Sequence, residues 1–452
     1  MLCSDWCWLS LPLAGRTGAD LFDCLFGDEA IAVLLESPQL TPRTGRYSIL
    51  AACPAQILVP PLGRVLPTLK DWLATARTLA PLPEEYRSLP FRGGLVGWFG
   101  YDLAWEIERL AYRRADALPF PVAWWFEPTV FAVADHAEDQ LWLALCPTSQ
   151  QPERKRSWPY WRKRLETPAL GAAPAPPAAS SPLLLPVRDD FLQAVHRIKE
   201  HIAAGDIFQG NLSLRFALEW TGGGWQLYRR LAQLNPSPFA SYWRTPFGEM
   251  ISCSPERLVS LRGRAVSTRP IAGTRPRGQT LEGDSALEAE LLLSPKERAE
   301  HIMLVDLERN DLGRVCQPGS VEVDELLSIE RYSHVMHIVS NIVGELQPGY
   351  DALDLVRAVF PGGTITGCPK VRCMEIIEQL EPVRRSLFYG SCGYLDRTGD
   401  LDLNILIRTL LKSGHQVWGQ VGAGIVADSE AEKEFDESLD KAKAQWTALG
   451  TA

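Results

Sequence analysis

The stretch DDFLQAVHRIKEHIAAGDIFQGNLSLRF, residues 189–216, decides the fold. Its first half places apolar residues at helical spacing and predicts a helix that Gly205 ends. Those residues are Phe191, Val195, Ile198 and Ile202. Its second half alternates between apolar and polar residues and predicts a strand. The apolar face holds Phe208, Leu212, Leu214 and Phe216, and the polar face holds Gln209, Asn211, Ser213 and Arg215. A polar face on a central strand indicates a wet cavity.

Short apolar runs separated by Gly/Pro turns and helical stretches dominate the chain upstream of this point and predict strands. These are Trp6–Leu13, Ile31–Leu35, Tyr47–Ala51, Leu95–Phe99, Val130–Ala134 and Leu141–Leu145. Antiparallel-looking strands mixed with long helices are typical of an α+β fold. The segment TPALGAAPAPPAASSP, residues 167–182, has little to bury, so we expect a linker over 167–187. It divides an N-terminal region, 1–166, from a second region, 188–452.

Composition excludes several classes of function. The chain has 452 residues and a net charge of -9, which disfavours nucleic acid and anionic membranes as partners. No run approaches the ~20 apolar residues that a membrane-spanning helix needs. Ten cysteines without a CxxC pair indicate neither a zinc site nor a dense disulfide framework. Small ligands, protein partners and a cytoplasmic location are therefore expected.

The motif SPKERAEH, residues 294–301, opens a predicted helix. Ser294 followed by Glu297 is a capping box, which accounts for Glu297 without any function. Glu300 lies three residues further on, so both carboxylates share one face about one turn apart. That geometry also suits a hard divalent cation with oxygen ligands. The spacing alone leaves both interpretations open.

A second acidic motif, EFDESLDK at 434–441, places Glu434 and Glu437 at the same spacing and adds Lys441 one turn beyond. Taken alone, it is more simply an ion pair on a solvated helix. Two such glutamate pairs in one chain, however, could meet around one Mg²⁺, which takes one or two carboxylates together with an anionic substrate.

Two glycine-rich loops each lead into a predicted helix. PGGTITGCPK, residues 361–370, precedes a helix over 371–380, and GAGIVADS, residues 422–429, leads to a helix capped near Ser429. Backbone amides at a helix N-terminus bind anions, so a carboxylate or a phosphate could lie at either loop. A purely structural turn explains each loop equally well.

Six ordered motifs in the second region resemble those of the chorismate-utilising enzymes, in particular the synthase subunits of anthranilate synthase and aminodeoxychorismate synthase. They are SPERL, PIAGTRPRG, ERAEHIMLVDLERNDLGRV, RYSHVMHIVSNI, FPGGTITGCPKVRCMEIIEQLEP and GAGIVADSEAEKEFDE. The resemblance is dense from residue 189 onward and looser upstream, through LPFRGGLVGWFGYDL. It implies a fold of large antiparallel sheets packed face to face with helices outside.

The resemblance also implies roles for individual residues. It implies one Mg²⁺ between the protein and the ring carboxylate of chorismate, with Glu300 and Glu437 as ligands and Glu297 and Glu434 in support. Glu256 matches the general acid that protonates the departing C4 hydroxyl. Positions around the substrate are matched by Thr274, His337, Thr366, Gly367, Tyr389, Arg408, Gly422, Gly424 and Lys441.

The residue at position 209, a glutamine, indicates whether water or ammonia is the nucleophile that attacks chorismate. Isochorismate and salicylate synthases place a lysine there to activate water, whereas a glutamine cannot act as a base. The resemblance therefore implies ammonia, and because the chain lacks a GxCxGxQ elbow, it implies a separate glutamine amidotransferase subunit in a heterodimer.

The remaining sequence features are split between the two aminating branches of the family: some resemble one branch and some the other. Ile365-Thr366 resembles the aminodeoxychorismate branch, which we expect here. Ala272 lies where many members of that branch carry a nucleophilic lysine, so we expect ammonia itself to add. Residues 34–37, LLES, resemble the tryptophan-sensing segment of the anthranilate branch, the alternative, although a buried strand end explains them equally.

Overall fold

The structure is a computed structural model that describes the chain except for residues 1–2, 4–5, 39–44, 80–82, 112–113, 147–154, 156, 169–170, 172, 332–334 and 452. The strands are β1 (Cys7–Pro12), β2 (Ala32–Glu36), β3 (Tyr47–Leu58), β4 (Gly94–Phe99), β5 (Ala123–Asp135), β6 (Gln140–Leu145), β7 (Leu183–Leu185), β8 (Gln209–Glu219), β9 (Phe239–Thr245), β10 (Gly248–Ser254), β11 (Arg257–Arg262), β12 (Ala265–Arg269), β13 (Ile271–Pro276), β14 (Glu322–Arg331), β15 (Val335–Glu345), β16 (Gly367–Cys368), β17 (Ser391–Asp396), β18 (Leu401–Asn404), β19 (Thr409–Ser413) and β20 (Gln416–Ile425). The helices are α1 (Gly18–Phe26), α2 (Val65–Ala76), α3 (Ala104–Ile107), α4 (Trp158–Leu165), α5 (Arg188–Ala203), α6 (Gly224–Leu234), α7 (Leu281–Leu293), α8 (Pro295–Gly313), α9 (Ala352–Val359), α10 (Lys370–Leu380) and α11 (Ala431–Leu449).

Strand β5 joins two wings of one antiparallel network of strands. One of its edges pairs with β3, and from there the first wing continues through β2, β9, β10, β19, β20 and β8. Its other edge pairs with β4, and the second wing continues through β17, β18, β11, β12 and β15. Every residue of β5 is buried, as expected of a strand covered on both faces.

The wings pack face to face over a core rich in tryptophan. Trp98 of β4 meets Trp243 of β9 across the interface, with ring centroids 5.9 Å apart. On the opposite face of β4, Gly97 makes room for the ring of its pairing partner Trp125, because a Cβ there would lie 2.4 Å from that ring. A second hydrophobic core lies between the outer face of the first wing and the helices α1, α4, α5, α6, α10 and α11. The expected α+β fold, with sheets packed face to face and helices outside, is confirmed.

Most of the predicted elements are present. The six upstream strands correspond to β1–β6, and the predicted helix and strand of residues 189–216 are α5 and β8. Phe208 is the exception: it precedes β8, its side chain is 69% exposed, and it does not share the buried face of Leu212 and Leu214. Its backbone N–H donates to the Cys368 carbonyl, so the chain is already turning towards the neighbouring loop at that point.

The two regions proposed from the sequence share strand pairings. In the first region β2 pairs with β9 of the second, and β4 pairs with β17. The described part of the 167–187 segment is irregular except for β7, which pairs with β8. The Ser180 N–H also donates to the Glu219 carbonyl. Among the described residues, no helix is both long and apolar enough to cross a membrane.

We expect Leu214→Ala to lower the free energy of unfolding by about 2–5 kcal/mol, because it opens a cavity where a fully buried side chain was. Phe208→Ala, the matched control, should change it by less than about 0.5 kcal/mol, because that side chain is largely exposed. Thermal and urea unfolding of the two variants measures this. Equal losses in both would contradict the assignment of the β8 faces.

Candidate functional site

Paired strands β8 and β20 form one wall of the site, and two glycines hold it open. Gly422 lies opposite Ser213 and Gly424 opposite Asn211. A Cβ on Gly424 would lie 2.3 Å from the Gln209 amide nitrogen and 3.4 Å from a carboxyl oxygen of Glu300. The expected substrate position Gly424 is therefore brought together with Gln209 and Glu300, and Gly422 lies two residues before it on the same strand.

Tyr389 borders the same wall. A Cβ on Gly422 would lie 3.0 Å from its hydroxyl oxygen, and the Arg385 guanidinium lies 4.6 Å from its ring centroid. Tyr389 has a φ of 64° and Arg408 a φ of 50°, so both occupy the left-handed region. Backbone strain of this kind is common at functional sites.

Glu300 of α8 is partly buried, and its side chain faces β8. The Gln209 amide Nε2 donates to Glu300 Oε1 over 2.8 Å. Burial raises the pKa of Glu300, while the Gln209 hydrogen bond and the charges of Lys296 and Lys441 lower it. Gln209 thus serves as a neutral donor to the Glu300 carboxylate.

The acidic pair of α11 faces the same cleft. Burial raises the pKa of Glu434, against the charges of Lys296 and Lys441. Glu437 is more exposed and forms an ion pair with Lys441 at 2.9 Å, and Lys441 Nζ also donates to the Gly422 carbonyl over 3.0 Å. The charges of Lys296 on α8 and Lys441 on α11 lower the pKa of both Glu300 and Glu434, so the acidic motifs of the two helices lie near each other.

The four glutamates are not gathered about one point. Ser294 accepts the Glu297 N–H at the start of α8, as expected, but the Glu297 carboxylate turns to Arg275 at 3.3 Å instead of back to the cap. In the part of the chain that the structure describes, no group of three or more His, Cys, Asp and Glu residues could hold a metal ion. The donors are nevertheless all hard oxygens, and Mg²⁺ needs only one or two carboxylates, so the cleft fits that ion.

Glu256, His337 and Arg408 share a second part of the site. Burial raises the pKa of Glu256 to about 7, while the Arg408 charge lowers it. One of its oxygens, Oε1, has no hydrogen-bond partner among the described residues. Burial and the same Arg408 charge lower the pKa of His337 to about 4, so His337 is neutral. His337 Nδ1 lies 3.0 Å from the Thr274 hydroxyl and 3.1 Å from the Gly273 carbonyl oxygen.

The 361–370 loop lies against β8. Gly367 has a φ of 130°, and a Cβ there would lie 2.2 Å from the Gln209 carbonyl oxygen, so both conformation and space require glycine. The fully buried Thr366 hydroxyl donates to the Gly362 carbonyl over 2.9 Å, so it supports the loop from within. Helix α10 begins at Lys370, whose ammonium pairs with Asp311 at 2.6 Å.

Two expectations from the sequence need correction or qualification. Ser429 does not cap α11, because its hydroxyl accepts the Val426 N–H and the helix begins at Ala431. Ala272 is buried in β13 opposite Ile338 and lies two residues from Thr274, on the strand that pairs with His337. Its methyl group offers no nucleophile there.

Sequence reasoning missed the buried pair Glu381 and Arg385. Glu381 Oε1 accepts the Ser213 N–H at 2.8 Å and the Ser213 hydroxyl at 2.7 Å. Arg385 pairs with Glu381 at 2.7 Å and donates to the carbonyls of Ile365 and Asn211, each over 2.7 Å. In the sequence this looks like a solvated i,i+4 pair, because spacing carries no information about burial.

Comparison with known proteins identifies the family of this chain. A family model described as chorismate binding enzyme matches residues 33–447. The chain belongs to this family. It is 54% identical over 473 residues to the anthranilate synthase component I-like protein of Synechocystis sp. (strain ATCC 27184 / PCC 6803 / Kazusa), covering 99% of this chain and 93% of that protein. It is 47% identical over 392 residues to aminodeoxychorismate synthase component 1 of Bacillus subtilis (strain 168), covering 86% and 82%.

A solved structure agrees. Anthranilate synthase component I from Streptococcus pneumoniae matches with a TM-score of 0.76 and 33% identity, over 90% of this chain and 93% of that one. The protein is thus a chorismate-utilising enzyme. The relatives do not agree on one product.

The LLES segment of this chorismate-utilising chain lies at a cavity of about 440 Å³ between the two wings of the sheet. Leu35 and Glu36 line it from the first wing, and Tyr394 and Asn404 from the second. The Glu36 carboxylate is buried and accepts the Tyr228 hydroxyl at 2.7 Å, and burial raises its pKa to about 7. The segment is therefore a buried strand end and a cavity wall at once, and tryptophan as its ligand stays a prediction.

We expect Gly424→Ala to reduce chorismate turnover about 100-fold while leaving the melting temperature nearly unchanged, because the new methyl group displaces only the flexible end of Gln209. Gly422→Ala should instead destabilise the fold, since its Cβ would lie 2.4 Å from the backbone oxygen of Leu212. Measurements of chorismate turnover and of the melting temperature distinguish the two variants. Full turnover in Gly424→Ala would contradict a role for the Gln209–Glu300 contact.

Proposed function

We propose that this enzyme is an aminodeoxychorismate synthase subunit, which converts chorismate and ammonia into 4-amino-4-deoxychorismate and water for p-aminobenzoate and folate synthesis. The observation that carries the proposal is the contact of Gln209 with Glu300, because a neutral amide stands where water activation would need a base. The relative from Bacillus subtilis, with 47% identity, supports the choice of product.

In this proposal Glu256 is the general acid. Its carboxyl is buried, is half protonated near neutral pH and has one oxygen without a partner, so it can donate to a departing hydroxyl group. Thr274 and neutral His337 border the same space, and Arg408 offers a fork of donors to a substrate carboxylate. Tyr389, Thr366 and Gly367 shape the opposite wall.

Mg²⁺ is the proposed cofactor. Glu300 and Glu437 would hold it, with Glu434 and Glu297 in support, and when bound it supplies positive charge for a substrate carboxylate. Lys441 carries a second positive charge into the cleft from α11 and contacts the Gly422 carbonyl. Ala272 offers no amine, so ammonia adds without a covalent protein adduct. We propose that a separate glutamine amidotransferase subunit supplies this ammonia in a heterodimer.

Anthranilate synthase component I, which forms anthranilate and pyruvate, is the second candidate. Two observations favour it: the 54% identical relative from Synechocystis is named anthranilate synthase component I-like protein, and the LLES segment lines a cavity. The two functions share the same acid and the same nucleophile. They differ in the ring carbon that receives the nitrogen, since anthranilate carries it next to the carboxylate, and in whether pyruvate is released.

Incubation of the chain with chorismate, Mg²⁺ and ammonium should yield aminodeoxychorismate, which a supplied lyase converts into p-aminobenzoate. Chromatography with mass detection identifies the product. Glu300→Ala should abolish its formation, and Asp306→Asn, an exposed acid on the same helix, should not. Direct release of anthranilate and pyruvate would establish the second candidate in place of the first.

The maximal rate should fall about tenfold per pH unit as the pH rises above about 7, because Glu256 must be protonated to donate and its raised pKa places the loss there. Total ammonium is adjusted at each pH to keep free ammonia saturating. Glu256→Gln should lose most activity and lose this pH dependence. If the maximal rate of Glu256→Gln still fell above pH 7 as it does in the wild type, another group would be responsible for that fall.

A further inference from the structure

Two side-chain amides on the polar face of β8 leave their oxygen atoms unused. Gln209 Nε2 donates to Glu300 Oε1 over 2.8 Å, and Asn211 Nδ2 lies 3.5 Å from the Thr364 carbonyl oxygen. A carboxylate and a backbone carbonyl accept hydrogen bonds, so these contacts fix which end of each amide is the nitrogen. Gln209 Oε1 and Asn211 Oδ1 are buried and have no hydrogen-bond partner among the residues that the structure describes.

The two amides are neighbours in space. Gln209 and Asn211 lie on the same face of β8, and Gly424 of β20 pairs directly with Asn211. The Gln209 amide nitrogen lies over Gly424, because a Cβ on that glycine would be 2.3 Å from it. The Gln209 side chain therefore leans along the wall of the cleft, and its amide lies beside that of Asn211.

A third buried oxygen belongs to the loop that faces Asn211. The Thr364 hydroxyl is buried and makes no hydrogen bond within the described part of the chain. Burial raises the pKa of Glu256 and the Thr364 hydroxyl lowers it, so this hydroxyl lies on the side of the loop nearest the proposed general acid. A hydroxyl has one proton and two lone pairs, so it can donate to Glu256 and accept from a ligand at once.

The chemistry of these three oxygens indicates the ligand that they fit. The two amide oxygens can only accept hydrogen bonds, and a buried acceptor without a donor is costly. Ammonia has three N–H groups and one lone pair, so three acceptors can hold it and leave its lone pair for the substrate. Water has two O–H groups and cannot satisfy three acceptors. The set therefore favours ammonia over water.

We propose that Gln209 Oε1, Asn211 Oδ1 and the Thr364 hydroxyl form the binding site of ammonia, with one N–H donated to each oxygen. The inference rests on the proposed amination, because it assigns a place to the nucleophile of that reaction. Gln209 contacts Glu300, and Thr364 lies towards Glu256. Ammonia at this site thus lies between the proposed metal ligand and the proposed acid, and the site is the same for either product.

Asn211→Ala and Thr364→Val each remove one acceptor, and initial rates with chorismate and ammonium varied in turn measure the effect. The KM for ammonia should rise about tenfold in each variant, as expected for the loss of one hydrogen bond, while the KM for chorismate stays within about twofold of the wild type. Thr364→Ser keeps the hydroxyl and should keep the KM for ammonia. Asn310→Ala, at an exposed position of α8, should change neither constant.

The melting temperature separates this role from a structural one. Thr364→Val removes only a hydroxyl that has no hydrogen-bond partner among the described residues, so it should melt as the wild type does and tests the site even if Asn211→Ala is destabilised. An unchanged KM for ammonia in Thr364→Val, or an equal rise in the KM for chorismate, overturns the inference and leaves the amination intact. A wild type that does not consume chorismate with ammonium overturns the proposed function and the ammonia site together.

Discussion

The buried ion pair between Glu381 and Arg385 is the interaction on which the site depends. It connects β8, through Ser213 and Asn211, to the 361–370 loop through the Ile365 carbonyl, and its guanidinium lies against Tyr389. Two buried charges are costly unless hydrogen bonds satisfy them, and here three backbone groups do so. Removal of either partner would leave an uncompensated charge beneath the wall that the glycines of β20 keep open.

Burial sets the protonation of the groups around this wall. It raises the pKa of Glu256 to about 7 and lowers that of His337 to about 4, so near neutral pH Glu256 is partly protonated and His337 is uncharged, and both feel the charge of Arg408. The acidic side chains of α8 and α11 lie nearer to solvent and to two lysines. The site therefore combines a drier half around Glu256 and His337 with a wetter half that carries several charged side chains, and both halves serve the reaction proposed above.

Local patterns predicted the elements, and contacts between distant residues determined the rest. The strands β1–β6 and the helix α5 follow from periodicity, which is a local property. Phe208 was placed wrongly because alternation does not show where a strand ends. Glu297 fits a capping box, yet its carboxylate turns to Arg275, which only the tertiary structure brings near. Glu381 and Arg385 looked like a surface pair, and the residues that bury them lie far away in the sequence.

The pairing of β4 with β17 has a consequence for synthesis of the chain. Leu95 pairs with Leu395 and Phe99 with Ser391, and β2 likewise pairs with β9. The first strands to leave the ribosome thus have free edges until most of the polypeptide has been made. Such long-range pairing slows folding and exposes edges that can aggregate. Nascent chains of this protein should depend on chaperones until their last third emerges.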